Sequence, residues 1–122
     1  MRVAKRVLAW ERAPAGSHID ITLVSAAAMH RVNRRATGRR GLTDVIAYAL
    51  PQPDGTLLGD VYICPAMAAR AAANGAGLKE ELVRLAVHGA LHVLGYDHPD
   101  GAGRTRSRMW LLQERYVKRL RR

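Results

Sequence analysis

One segment governs how this chain can fold. From Leu78 onward, Leu82, Leu85, Ala86, Leu91, Val93 and Leu94 recur at helical spacing and predict a long, mostly buried helix. Gly95 ends it, because a residue without a Cβ suits a left-handed cap. A helix of this kind must be covered, and the flanking segments predict what covers it. Val3, Val7, Leu8 and Trp10 give an amphipathic helix over 2–12, stopped by Pro14-Ala15-Gly16. Ile19, Ile21 and Leu23 alternate with Asp20 and Thr22 as a half-buried strand, and Ser25 is a fitting N-cap for a short helix to about Arg34. A basic loop over 34–41 follows. Strands over 45–50 and 57–64, joined by a turn at Pro51–Gly55, predict an antiparallel hairpin. Pro65 opens a helix over 65–74, and a last helix covers about 104–120. The expected fold class is α+β: a small mixed β-sheet packed against about five helices.

The chain has 122 residues, enough for one domain with a modest core and too few for two, so a single domain over 1–122 is expected. An apolar fraction of 48% with 25% charged residues is that of a globular chain and excludes a disordered one. No stretch approaches the roughly 18–20 apolar residues of a membrane span, and Arg6, Glu11 and Arg12 spoil the N-terminus as a signal peptide. A lone Cys64 cannot build an internal disulfide and reads as a small buried strand residue in a reducing compartment. A cytoplasmic protein that does not enter the membrane is expected.

The long helix also carries chemistry. His88 and His92 are four residues apart, about 400° of helical turn, and therefore overlie one another on one face. Beyond Gly95 the chain can turn back and bring His98 to the same point. Three neutral imidazoles leave the fourth tetrahedral position of a zinc ion open, the arrangement of a catalytic metal site on a central helix and the loop after it. The spacing is that of the HExxHxxGxxH zinc-peptidase motif, except that Gly89 stands where those enzymes place the general-base glutamate. Asp97, beside the last histidine, is the candidate for part of that role or for orienting a ligand. His18 and His30 read as ordinary polar residues.

Charge supplies a second signal. Lys and Arg outnumber Asp and Glu by 20 to 10, and the excess is uneven: +7 over residues 1–40, −4 over 41–103 and +7 over 104–122. Two basic ends around an acidic middle suit a polyanion-binding surface around a cation-binding centre. With 5% aromatic residues and no Phe, a platform that stacks splayed bases is not expected, and contact should be mainly to phosphates.

These residues together resemble the bacterial YbeY endoribonucleases of ribosomal RNA maturation. His88 to His98 fits that family's HGxLHLxGYDH pattern, with Val93 for Leu. Thr43-Asp44-Val45-Ile46 is similar to its TDVLSF strand, Leu58-Gly59-Asp60-Val61 with Ile63-Cys64 to its LGD-x-x-IC strand, and Met109, Gln113 and Glu114 fall where its last helix has similar residues. The resemblance covers roughly 20–117. It implies His88, His92 and His98 as ligands of one Zn²⁺ per chain. It also implies single-stranded RNA as substrate, ribosomal RNA and the ribosome or a ribosomal subunit as partners, and a metal helix beneath a cleft. Two departures stand out. Thr37 occupies a position where many members have an arginine, which makes Arg35, Arg39 and Arg40 the candidate RNA-binding residues. The family usually opens on a strand and this chain opens on a helix, so either a reduced sheet or a start assigned too late is expected. The alternatives are a ribosome-assembly protein with a structural zinc and a zinc metallopeptidase.

Overall fold

The computed structural model describes residues 2–37, 44–72, 77–97, 103 and 106–121. In chain order the elements are α1 (Arg2–Trp10), β1 (His18–Leu23), α2 (Ala26–Thr37), β2 (Val45–Pro51), β3 (Leu57–Ile63), α3 (Pro65–Ala72), α4 (Leu78–Val93) and α5 (Arg108–Leu120). The fold is α+β, as expected, with a three-stranded mixed sheet ordered β1-β3-β2. β3 is central, parallel to β1 from His18↔Leu58 to Leu23↔Ile63 and antiparallel to β2 from Val45↔Ile63 to Pro51↔Leu57.

Strand alternation decides what lies on each face of the sheet. Val61 and Ile63 of β3 point toward α4 and join a core with Val7, Leu85, Ala86, Ala90, Leu91, Met109 and Val117. The residues between them face the other way: Tyr62 and Ile46 pack with Met29 of α2 and with buried Cys64 in a smaller cluster. The helix predicted to be buried is therefore the central one, in contact with α1, α3, α5 and all three strands. Its approach to the sheet is unusually close. A Cβ on Gly89 would lie 2.5 Å from Val61 Cγ1, and one on Gly59 would lie 2.5 Å from Val93 Cγ1. Both glycines are there because a side chain would force α4 off β3.

Of the boundaries that differ from the sequence expectation, three have a clear local reason. α1 ends at Trp10 rather than at Arg12, where the backbone turns left-handed (φ 55°). α2 is capped by Ser25, whose Oγ accepts from Ala28 N at 3.1 Å, but runs on to Thr37. Arg34 and Arg35 thus belong to its last turn and not to a loop. α5 begins at Arg108, not near 104, because Ser107 Oγ accepts from Trp110 N at 3.1 Å and fixes the cap there.

Candidate metal centre

The two helical histidines meet as their spacing requires. His88 is buried and His92 half-buried, their rings stand edge to face with centroids 4.5 Å apart, and the two Nε2 atoms are 3.1 Å from each other. What makes this contact chemically informative is the other nitrogen of each ring. His92 Nδ1 lies 3.0 Å from the carbonyl oxygen of Tyr96. A carbonyl only accepts, so that nitrogen carries the proton. His88 Nδ1 lies 2.7 Å from Gln113 Oε1. The amide orientation is fixed from its far end, where Gln113 Nε2 donates to Glu114 Oε2 at 2.9 Å. His88 Nδ1 is therefore also the donor. In the neutral state both rings then present an unprotonated Nε2, two lone pairs aimed at one point. Two acceptors at that separation repel unless a cation lies between them.

The donor set fits a metal. Two nitrogens bound at about 2.0–2.1 Å in a tetrahedron stand roughly 3.3 Å apart, close to the spacing found. Both Nδ1 atoms are also held as they are in metal-binding histidines, each donating to a fixed oxygen.

The turn that supplies one of those oxygens follows from Gly95. Its φ of +101° lets Gly95 N donate to His92 O at 3.0 Å and Tyr96 N to Leu91 O at 3.0 Å. This paired closure of a helix C-terminus swings the Tyr96 carbonyl back over His92. The Tyr96 side chain is anchored in turn: its hydroxyl donates to Glu11 Oε1 at 2.6 Å, and the Tyr116 hydroxyl donates to Glu11 Oε2. The Glu11 hydrogen bond, with burial and the Glu11 charge behind it, raises the Tyr96 phenol above its ordinary value. Burial first, then the same carboxylate, pushes Tyr116 to about 12.

The oxygen holding His88 is fixed by side chains instead. Gln113 is buried at 1% exposure on α5 and leans on Glu114, which Arg84 of α4 grips with Nε at 2.9 Å from Oε2 and Nη2 at 3.0 Å from Oε1. Arg84 is steadied by Glu81, 2.9 Å from Nη1, and by Glu80 at 3.5 Å. Burial alone would raise the Glu114 carboxyl, but the hydrogen bonds from Arg84 and Gln113 outweigh it and hold the carboxyl below its ordinary range. The bond to Glu114 likewise raises Arg84, against its own desolvation.

Other expected site residues fall differently. His98, the expected third ligand, lies outside the described residues, as do Arg39 and Arg40. Among the described residues no three His, Cys, Asp or Glu side chains form a metal-holding group. Asp97 follows Tyr96 with its side chain exposed, and the Nδ1 atoms of His88 and His92 are held by Gln113 and by the Tyr96 carbonyl rather than by it. Arg35 is exposed on α2 and, with Arg31 and Arg34, lines a hollow of about 410 Å³. Position 89 faces Val61, so the glutamate of a zinc peptidase has no room there. His18 makes an exposed pair with Asp20 at 2.7 Å.

The relay through Gln113, Glu114 and Arg84 was not anticipated. The signal for it was available: Gln113 is the single polar residue on the α5 stripe Met109, Gln113, Tyr116, Val117 that faces the core.

Comparison with known proteins settles the ancestry of the chain. A family model described as endoribonuclease YbeY matches residues 1–121. The chain belongs to the YbeY family. Among curated YbeY relatives, the endoribonuclease of Mycobacterium ulcerans is 36% identical over 114 residues, covering 84% of this chain and 63% of that protein. That of Mycolicibacterium paratuberculosis is 35% identical over 127 residues, covering 94% of this chain and 71% of the relative. The chain thus spans between three fifths and three quarters of the length of these YbeY proteins. A Thermotoga maritima protein solved in solution has the same fold, with a TM-score of 0.62 and 27% identity over 96% of this chain and 73% of that one.

Proposed function

We propose that this chain is a metal-dependent, single-strand-specific endoribonuclease acting in ribosomal RNA processing and ribosome quality control in the cytoplasm. One observation carries the metal dependence: two Nε2 atoms 3.1 Å apart, each on a ring whose Nδ1 already faces a fixed oxygen. Membership of the YbeY family and the endoribonuclease names of its relatives support RNA as the substrate. In this reading His88, His92 and His98 hold one Zn²⁺. Bound there, the ion supplies Lewis-acid stabilisation of the charge that builds on the scissile phosphate.

The chain's own residues do the remaining work. Gln113 and the Tyr96 carbonyl hold the imidazoles in the tautomer that leaves Nε2 unprotonated. In this reading Asp97, exposed after the turn, takes part in moving a proton or orients a ligand. Arg35, with Arg39 and Arg40, contributes positive charge for the phosphodiester backbone. No helix among the described residues is long and apolar enough to cross a membrane. Crowding of position 89 against Val61 disfavours the peptidase alternative. The test compares wild type with His92→Ala for metal content and for cleavage of single-stranded ribosomal RNA, with and without chelator. Loss of metal and cleavage together is expected, and full cleavage by metal-free protein would refute the reading.

A further inference from the structure

Besides the hollow at Arg31, Arg34 and Arg35, the described surface holds a second cationic cavity that the histidine pair does not use. It has a volume of about 550 Å³, within the ~300–1,000 Å³ range of small-ligand sites, and lies between the end of α1, the turn after α4 and α5. Arg106, Arg108 and Arg115 line it, together with Leu111, Tyr96 and Glu11. Arg108, Leu111 and Arg115 are spaced i, i+3 and i+7, so they form one exposed stripe of α5, distinct from its core-facing stripe. Leu111 is 59% exposed, the most exposed large apolar side chain among the described residues.

Three guanidinium groups around one cavity repel each other, and the described wall offsets that only in part. Among the described residues the ion pairs fall on Arg84, Arg121 and His18, and none of these three arginines has one. The one acid in the described wall, Glu11, has its two carboxylate oxygens occupied by the Tyr96 and Tyr116 hydroxyls. An anion with paired acceptor oxygens and an adjoining apolar face would satisfy both the arginines and the exposed leucine. Tyr96 ties the cavity to the candidate metal centre: it lines the one, and its carbonyl holds His92 in the other.

We infer that this cavity is a second RNA subsite, in which Arg106, Arg108 and Arg115 grip backbone phosphates of the strand while a nucleoside rests on Leu111. The inference rests on the endoribonuclease reading and adds to it a place where the strand is held away from the histidines.

The test measures binding of a fluorescein-labelled 2′-O-methyl oligouridylate, which resists cleavage, to the full chain over a series of salt concentrations. Arg108→Gln/Arg115→Gln should bind about tenfold more weakly, with the salt slope reduced by about 0.7 per arginine. Its metal content and circular dichroism should match wild type. Leu111→Asp, at an exposed position that tolerates any side chain, should weaken binding too. Arg70→Gln, which removes an equal charge from exposed α3, should bind within about twofold of wild type. Unchanged binding by the double variant, or an equal loss in Arg70→Gln, overturns the subsite. Cleavage of unmodified RNA separates the two readings: a wild type that cleaves while the double variant binds normally sinks the subsite alone. A wild type that neither cleaves nor binds sinks both.

Discussion

The two histidines of the candidate centre are held by different means. His88 is oriented by side chains: Gln113, then Glu114, then Arg84, a relay that crosses from α5 to α4. His92 is oriented by the backbone, through the Tyr96 carbonyl that the Gly95 turn swings into place. A side-chain relay can be cut by one substitution anywhere along it. A backbone carbonyl survives any change of its own side chain and yields only to a change in the turn. The metal centre should therefore be fragile on one side and tolerant on the other.

Cutting the relay at its first link should have the largest effect. Gln113→Leu leaves the His88 Nδ1–H buried without an acceptor, costing about 1–3 kcal/mol of stability. Zinc affinity should fall about 10–100-fold, read by competition with a chromogenic chelator. One link back, Arg84→Met strips Glu114 of its fork. With Glu114 about one-third exposed, the loss should be about 2 kcal/mol in urea unfolding, below the 3–5 kcal/mol of a fully buried pair. Equal zinc affinity in Gln113→Leu and wild type would remove the relay from the account.

Smaller effects belong to the backbone side. Gly95→Ala places a Cβ at φ +101° and should cost about 1 kcal/mol, with a modest loss of zinc affinity as the Tyr96 carbonyl shifts. Tyr96→Phe keeps that carbonyl and loses only the hydroxyl bond to Glu11. It should change zinc affinity by no more than about twofold and stability by about 1 kcal/mol. A large loss of metal in Tyr96→Phe would erase the distinction between the two sides.

The smallest effect is a pH dependence. Glu114 is held below its ordinary value of 4.5, so its contribution is complete above that pH and is lost as pH falls through the lowered folded value. Wild type should lose urea stability on acidification in that window more steeply than Glu114→Gln. Parallel curves would show that Glu114 does not act as described.

What the sequence made legible was whatever rests on periodicity and backbone chemistry. The central α4, the strand alternation, the Ser25 cap and the Gly95 stop all follow from local rules, and so does the overlay of His88 and His92. Contacts between residues far apart in sequence were not legible. Arg84 and Glu114 are 30 residues apart, and Tyr116 and Glu11 are 105 apart. Nothing local distinguishes Arg84, Glu114 or Glu11 from solvated surface charges. Gly89 lies between these cases. Its departure from the peptidase pattern was plain in the sequence, but its cause, the Val61 side chain on β3, required the packing of α4 on the sheet. The end of α2 and the start of α5 are not legible because an arginine-rich helical turn and an arginine-rich loop have the same composition.

The claim on which the rest depends is that both imidazoles carry their proton on Nδ1 and offer Nε2 to one cation. Nitrogen-15 NMR of the two ring systems, recorded as zinc is added, reads this directly. Both Nδ1 atoms should remain protonated and both Nε2 resonances should shift together at one equivalent of metal per chain. A proton retained on either Nε2 in the zinc-saturated protein, or a shift confined to one ring, would contradict it.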